Sequence, residues 1–195
     1  MSATVFLARH ASHDEVGKVL SGRSDIAINA AGHAEAVRLA ARLSDVPVAA
    51  IHSSPRRRAW ETAGIVGERH GLDAHPADAL DEINFGAWNG LSFMDLGRDP
   101  AWNQWNAARG AASPPGGESM HAATARAVRH IEAAAGEAPL LCVSHCDIIR
   151  GVVAYYLGLA TDRLLAFDID PASLTELLLH GDGSGRVVTL NERPL

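Results

Sequence analysis

The stretch TVFLARHASH, residues 4–13, sets an apolar run directly against an arginine and a histidine. Val5, Phe6, Leu7 and Ala8 read as a buried strand, with Arg9 and His10 at its end. A cation and a titratable ring are costly to desolvate unless something anionic meets them. For one such dipeptide a solvated strand end is explanation enough, but the pattern returns twice. AIHSSPRRRAWETA, residues 50–63, leads from the run Val48 to Ile51 through Ser53 and Ser54 into three arginines. LLCVSHCD, residues 140–147, closes the run Leu140 to Val143 with Ser144 and His145. Strand followed by helical pattern, three times over, predicts a three-layer α/β sandwich with a mainly parallel central sheet. Ligands of open parallel sheets bind at the carboxyl ends of strands, so the three ends are expected to share one cleft.

The segments between the runs carry helical signals. In NAAGHAEAVRLAARLSD, Asn29 is an N-cap candidate, and Ala36, Leu39, Ala40 and Leu43 repeat at helical spacing. PRRRAWETAGIVGERHG places Pro55 at an expected first turn and Gly71 at the stop. GESMHAATARAVRHIEAAAGE has Glu118 near its start, and IIRGVVAYYLGLA reads as a buried helix too short to span a membrane. SLTELLLHGDGSGRVVTLNERP reads as a hairpin turning at its glycine cluster, which no helix follows, so a phosphate loop is not expected there. Without a repeat, long linker or composition break, residues 1–195 read as a single domain.

Composition narrows the chemistry. A net charge of −6 argues against nucleic-acid or anionic-membrane partners, yet leaves room for a local cationic pocket and a small phosphorylated ligand. Of 17 basic residues only Lys18 is a lysine, which disfavours Schiff-base chemistry; arginine forks suit phosphate and carboxylate. Cys142 and Cys146 lack a CxxC spacing and read as reduced thiols of a cytoplasmic protein. The N-terminus lacks the basic start and long apolar core of a signal peptide.

A neutral imidazole can attack phosphorus and form a phosphohistidine, splitting hydrolysis into two easier steps. The phosphoryl oxygens then need fixed cations and donors, which Arg9, one arginine of the run 56–58 and His145 can supply. The leaving oxygen needs a proton, and LDEINFGAWNG, residues 80–90, offers Asp81 and Glu82 among aromatic residues. No metal or other cofactor is required by this scheme.

At this point the chain resembles the histidine phosphatase (phosphoglycerate mutase-like) superfamily. That family pairs a strand ending in RHG and a later G-x-x-D with S-S-x-x-x-R-A-x-x-T-A, L-x-E-x-x-x-G-x-W-x-G, G-G-E-S and a final S-H. Here ARHA, Gly22 with Asp25, SSPRRRAWETA, LDEINFGAWNG, GGES and VSH follow in the same order over roughly residues 4–160. The resemblance implies that His10 is the nucleophile, that Arg9, Arg58 and His145 form the phosphate pocket, and that Glu82 is the proton donor. Arg58 is preferred over Arg56 and Arg57 because Ala59 follows it and Thr62 stands four later. His13 and Arg23 complete the expected substrate-binding set.

Some positions depart from the family. Ala11 replaces the usual glycine, Val16 stands where an asparagine often contacts phosphate, and Cys146 and Asp147 replace common glycines. The segment DPAWNQWNAARGAASPPGGES is short, with Trp102, Trp105 and Arg109, which favours a phosphatase over a phosphoglycerate mutase. Ala11 and Val16 motivate another alternative, a phosphate-ligand-binding protein with degraded catalysis. A zinc site on His10, His13 and His145 is opposed by the neighbouring arginines. The remaining histidines read as surface or satisfied core residues. Trp102 and Trp105, three apart, are expected on one helix face as core or lid. A homodimer is compatible with the sequence.

Overall fold

In a computed structural model, which describes residues 2–195, the apolar run around Phe6 forms the heart of a six-stranded sheet. The strands are β1 (Ser2–Arg9), β2 (Ala50–Ser53), β3 (Ala74–Pro76), β4 (Leu140–Ser144), β5 (Leu174–His180) and β6 (Gly185–Glu192). Their order is β3-β2-β4-β1-β5-β6. The first four in that order run parallel, and the β5–β6 hairpin joins β1 antiparallel. The predicted hairpin and the mainly parallel sheet are both present.

Side chains alternate across a strand, so each run feeds both faces of the sheet. From β1, Phe6 and Ala8 pack with β4 residues Leu141 and Val143 under two helices, α1 (Ala30–Arg42) and α2 (Arg57–His70). Val5 and Leu7 turn the other way, with Leu140 and Cys142, under α5 (Met120–Ala134) and α6 (Cys146–Leu157). Two short helices, α3 (Phe93–Leu96) and α4 (Pro100–Ala107), lie between β3 and α5 in the chain. Both faces are covered, as a parallel sheet requires, and the result is the expected three-layer sandwich.

Local signals set most boundaries. Asn29 caps α1 by accepting the Gly32 N–H, and Ser119 caps α5 by accepting the Ala122 N–H. Gly71 ends α2 in the left-handed region at φ 65°. Three details differ from expectation. The second strand begins at Ala50, not Val48, because Pro47 has no N–H for a ladder and Val48 bonds within a turn, to the Val46 carbonyl. It then continues to Ser53, closer to the site. Pro55 lies ahead of α2, whose N-cap is Arg56, because Ser54 Oγ first accepts the Arg56 N–H. The edge strand β3, only three residues of Ala74–Pro76, has no apolar run to announce it. Cys142 and Cys146 are both free, and burial raises their thiols to about 12 and about 11. No helix among the described residues is long and apolar enough to cross a membrane.

Candidate active site

Parallel register brings the three strand ends together. Arg9 is level with Ser144, and Ser53 with Val143, so His10, Ser54 and His145 emerge on one edge of the sheet. The His10 and His145 ring centroids are 5.1 Å apart, and those of His10 and His13 are 5.3 Å apart.

His10 is 3% exposed, and its Nδ1 lies 2.9 Å from the Ala11 carbonyl oxygen. A carbonyl can only accept, so Nδ1 carries the proton and the neutral ring keeps its lone pair on Nε2. Burial first, then Arg58 and Arg9, hold the His10 pKa well below its ordinary 6.5. Ala11, the next residue, is itself fully buried. Its N–H donates to Thr62 Oγ1 at 3.0 Å, and it packs with Ala36 and Ala172.

Arg58 is fully buried at the start of α2. Its Nη1 donates to the Ser24 carbonyl, and Nη2 donates both to the Gly22 carbonyl and to His145 Nδ1, the last at 3.1 Å. Gly22 permits this loop: its φ is 48°, and a Cβ there would lie 1.9 Å from Asn89 Oδ1. Because guanidinium only donates, His145 Nδ1 accepts, and Nε2 of the neutral ring donates to Ser54 Oγ at 2.7 Å. Ser54 in turn donates to Asp81 Oδ1. Burial and Arg58 keep the His145 pKa far below 6.5, which preserves that direction.

The two acids of the 80–90 segment have separate surroundings. Asp81 accepts from Ser54, from Arg56 Nε at 2.9 Å and from the Glu82 N–H at 2.8 Å, so it is an anchor. Glu82 Oε1 accepts only the Ile83 N–H among the described residues, at 2.9 Å. Burial chiefly, reinforced by Asp147, pushes the Glu82 pKa up to about 7 against the pull of Arg58 and Arg9. The Glu82 backbone is held from behind, its carbonyl accepting from Arg23 Nε at 2.8 Å and Arg126 Nη2 at 3.2 Å. Glu118 ties both arginines together.

These groups open into a cleft of about 330 Å³. Arg9, His10, His13, Arg58 and Glu82 line its floor, while Val16, Phe93 and Trp102 form an apolar wall. His145 is completely buried and supports the floor from beneath. His13 is also buried, its Nδ1 without a partner among the described residues, and burial beside Arg58 lowers its pKa to about 4. Arg23 does not line the cleft. Its fork is occupied by Glu82, Glu118 and Asp81, so the expected substrate ligand is a brace behind the acid. Trp105 is core, whereas Trp102 reaches both core and cleft.

Sequence reasoning passed over Asp147, Arg150 and the brace formed by Glu118 and Arg126. The departure from glycine at 147 was the available signal for the first. No group of three or more His, Cys, Asp or Glu among the described residues is arranged to hold a metal ion.

The chain is similar to known proteins in sequence and in fold. A bifunctional protein of Mycobacterium tuberculosis is 32% identical over 177 residues, covering 88% of this chain and 49% of that protein. The chain thus spans about half the length of the first curated relatives it matches. Glucosyl-3-phosphoglycerate phosphatase of M. tuberculosis is 30% identical, covering 89% of this chain and 84% of the relative. A solved structure of the mycobacterial glucosyl-3-phosphoglycerate phosphatase with VO3 superposes with a TM-score of 0.87 at 28% identity, covering 97% and 99% of the two chains. Residues 5–193 match the family model for branch 1, and the chain belongs to the histidine phosphatase superfamily.

Proposed function

We propose that the protein is a metal-independent phosphomonoester hydrolase that acts through a phosphohistidine on a small phosphorylated metabolite. The observation that carries this reading is the state of His10: its proton is committed to the Ala11 carbonyl, leaving Nε2 as a lone pair beside Arg9 and Arg58. Membership of a phosphatase-bearing family supports it.

In the first step Nε2 attacks phosphorus while the bond from phosphorus to the leaving oxygen breaks. Arg9, Arg58 and His13 offer charge and hydrogen bonds to the phosphoryl oxygens, and His145 keeps Arg58 oriented. Glu82, protonated below about pH 7, gives its proton to the leaving alkoxide. In the second step water attacks the phosphohistidine, the nitrogen–phosphorus bond breaks, and the Glu82 carboxylate takes the water proton. Phosphate leaves and neutral His10 returns.

Rapid acid quenching with radiolabelled substrate tests the proposal. Wild-type protein should trap an acid-labile phosphoenzyme that is absent from His10→Ala, with the two proteins sharing one circular dichroism spectrum. Wild-type turnover by His10→Ala would overturn it.

A further inference from the structure

Two carboxylates line the cleft, Glu82 and Asp147, and their surroundings are opposite. Asp147 stands in the first turn of α6, where the unpaired N–H groups of a helix start favour negative charge. Its Oδ1 accepts from Arg109 Nη1 at 2.9 Å and lies 3.6 Å from Arg150 Nη1. Both cations are fixed in turn. Arg109 Nη2 donates to Asn106 Oδ1 and its Cζ lies 4.0 Å over the Trp105 ring, while Arg150 Nε donates to the Phe167 carbonyl. Asp147 is thus a clamped anion. The Glu82 carboxyl group has no such partner, accepting only the Ile83 N–H among the described residues. His145, two residues before Asp147, sets its Nδ1 4.0 Å from Glu82 Oε2, which brings the start of α6 up to the acid.

Two acids in one cleft do not ionise independently. Where one is held as the anion, its charge makes ionising the other costlier, and the proton settles on the less supported group. The other groups facing Glu82 do not reverse this assignment. His10, His13 and His145 are neutral, and the Cys146 thiol is pushed up to about 11. Asp81 is turned to Ser54 and Arg56. Arg58 and Arg9 pull against the proton without outweighing burial and Asp147. Arg109 and Arg150 carry more positive charge than Asp147 cancels, but Asp147 bears on Glu82 more strongly than they do.

Resting on the phosphatase reading, we propose that Asp147 is a positioning residue for the catalytic proton. Its clamped charge keeps Glu82 protonated until the leaving oxygen takes that proton. In the second step the same charge makes the Glu82 carboxylate a stronger base toward water. Asp147 itself exchanges no proton. Glycine is common at this position in the family, so the charge is a feature of this chain and not of the shared phosphate floor.

Single-turnover phosphorylation by glycerol 3-phosphate, acid-quenched across pH, reads the midpoint of the alkaline decline and not the absolute rate. In Asp147→Asn that midpoint should move acidward by on the order of one pH unit, so the ratio of rates at about pH 8 and about pH 5 should shrink by about tenfold. Asp147→Gly should give the same shift. The two neutral variants together separate lost charge from altered packing, and either suffices if the other does not fold. With p-nitrophenyl phosphate, whose leaving group needs no proton, the midpoint should stay in place. An unmoved or alkaline-shifted midpoint with glycerol 3-phosphate overturns the inference, as does an equal shift with p-nitrophenyl phosphate. Loss of the alkaline decline altogether would make Asp147 the acid itself and overturn it too. Failure of the wild-type protein to trap a phosphoenzyme from either ester would instead refute the phosphatase reading beneath it.

Discussion

Glu82→Gln removes a buried charge while keeping the side-chain shape, and it should make the folded protein more stable in alkaline solution. In the fold the Glu82 pKa is about 7, against an ordinary 4.5 for the unfolded chain. Between those values the folded state holds a proton that the unfolded state has lost, so wild-type stability falls as pH rises through the window. Below it both states are neutral at this position, and above it both are ionised. At roughly 1.4 kcal/mol per pH unit, the gap corresponds to a penalty on the order of 3 kcal/mol above neutrality. Glutamine carries no such penalty, and its amide oxygen can still accept the Ile83 N–H. Urea unfolding of both proteins near pH 4.5 and about pH 8 measures the difference, with other titrating groups cancelling between them. The variant should match wild type at the acid end and gain up to about 3 kcal/mol at the alkaline end. A difference independent of pH, or a variant losing ground as pH rises, would refute the argument that burial outweighs the arginines at Glu82.

The same residue has a kinetic signature: single-turnover phosphorylation by an alkyl phosphate should decline as pH climbs through about 7, where the acid loses its proton. In Glu82→Gln that step should slow strongly for the alkyl ester and much less for p-nitrophenyl phosphate, whose leaving group departs as an anion; equal losses would exclude the acid role. Arg58→Ala should lower kcat/KM by on the order of a hundredfold or more, whereas Arg57→Ala, whose side chain is exposed and pairs with Glu61, should change it little. Steady-state assays of the two variants settle which arginine serves the floor. Activity should survive exhaustive chelation and fall with added vanadate; loss on chelation, restored by zinc or magnesium, would favour a metallohydrolase.

The convergence of the strand ends was legible because each apolar run stops abruptly at polar residues, and parallel register aligns those stops without further information. The family pattern singled out Arg58 from its run, and the fold buries that one while exposing Arg57. Arg23 was misread because sequence shows that a cation is present but not which way its fork turns. The clamp on Asp147 was invisible for a related reason. Arg109 lies 38 residues away along the chain, and such a pair exists only once α4 and α6 are placed. Strand β3 escaped because its stability comes from pairing with β2, not from its own three residues. The direction in which the Glu82 pKa moves depends on burial against nearby charge, a balance that needs coordinates.

The brace behind Glu82 has a further consequence. Its backbone is pinned through Arg23, Arg126 and Glu118, and His10, Arg58 and His145 are tied to one another's strands and loops. Among the described residues, none of the hydrogen bonds that fix these groups comes from α3 or α4, which carry Phe93 and Trp102. Chemistry and recognition are therefore separable inheritances in this chain. The cleft-facing positions of the segment from 93 to 107 can change while the reacting groups keep these bonds, provided that Leu96 and Trp105 stay in the core, so a change of diet need not disturb the machinery that digests it.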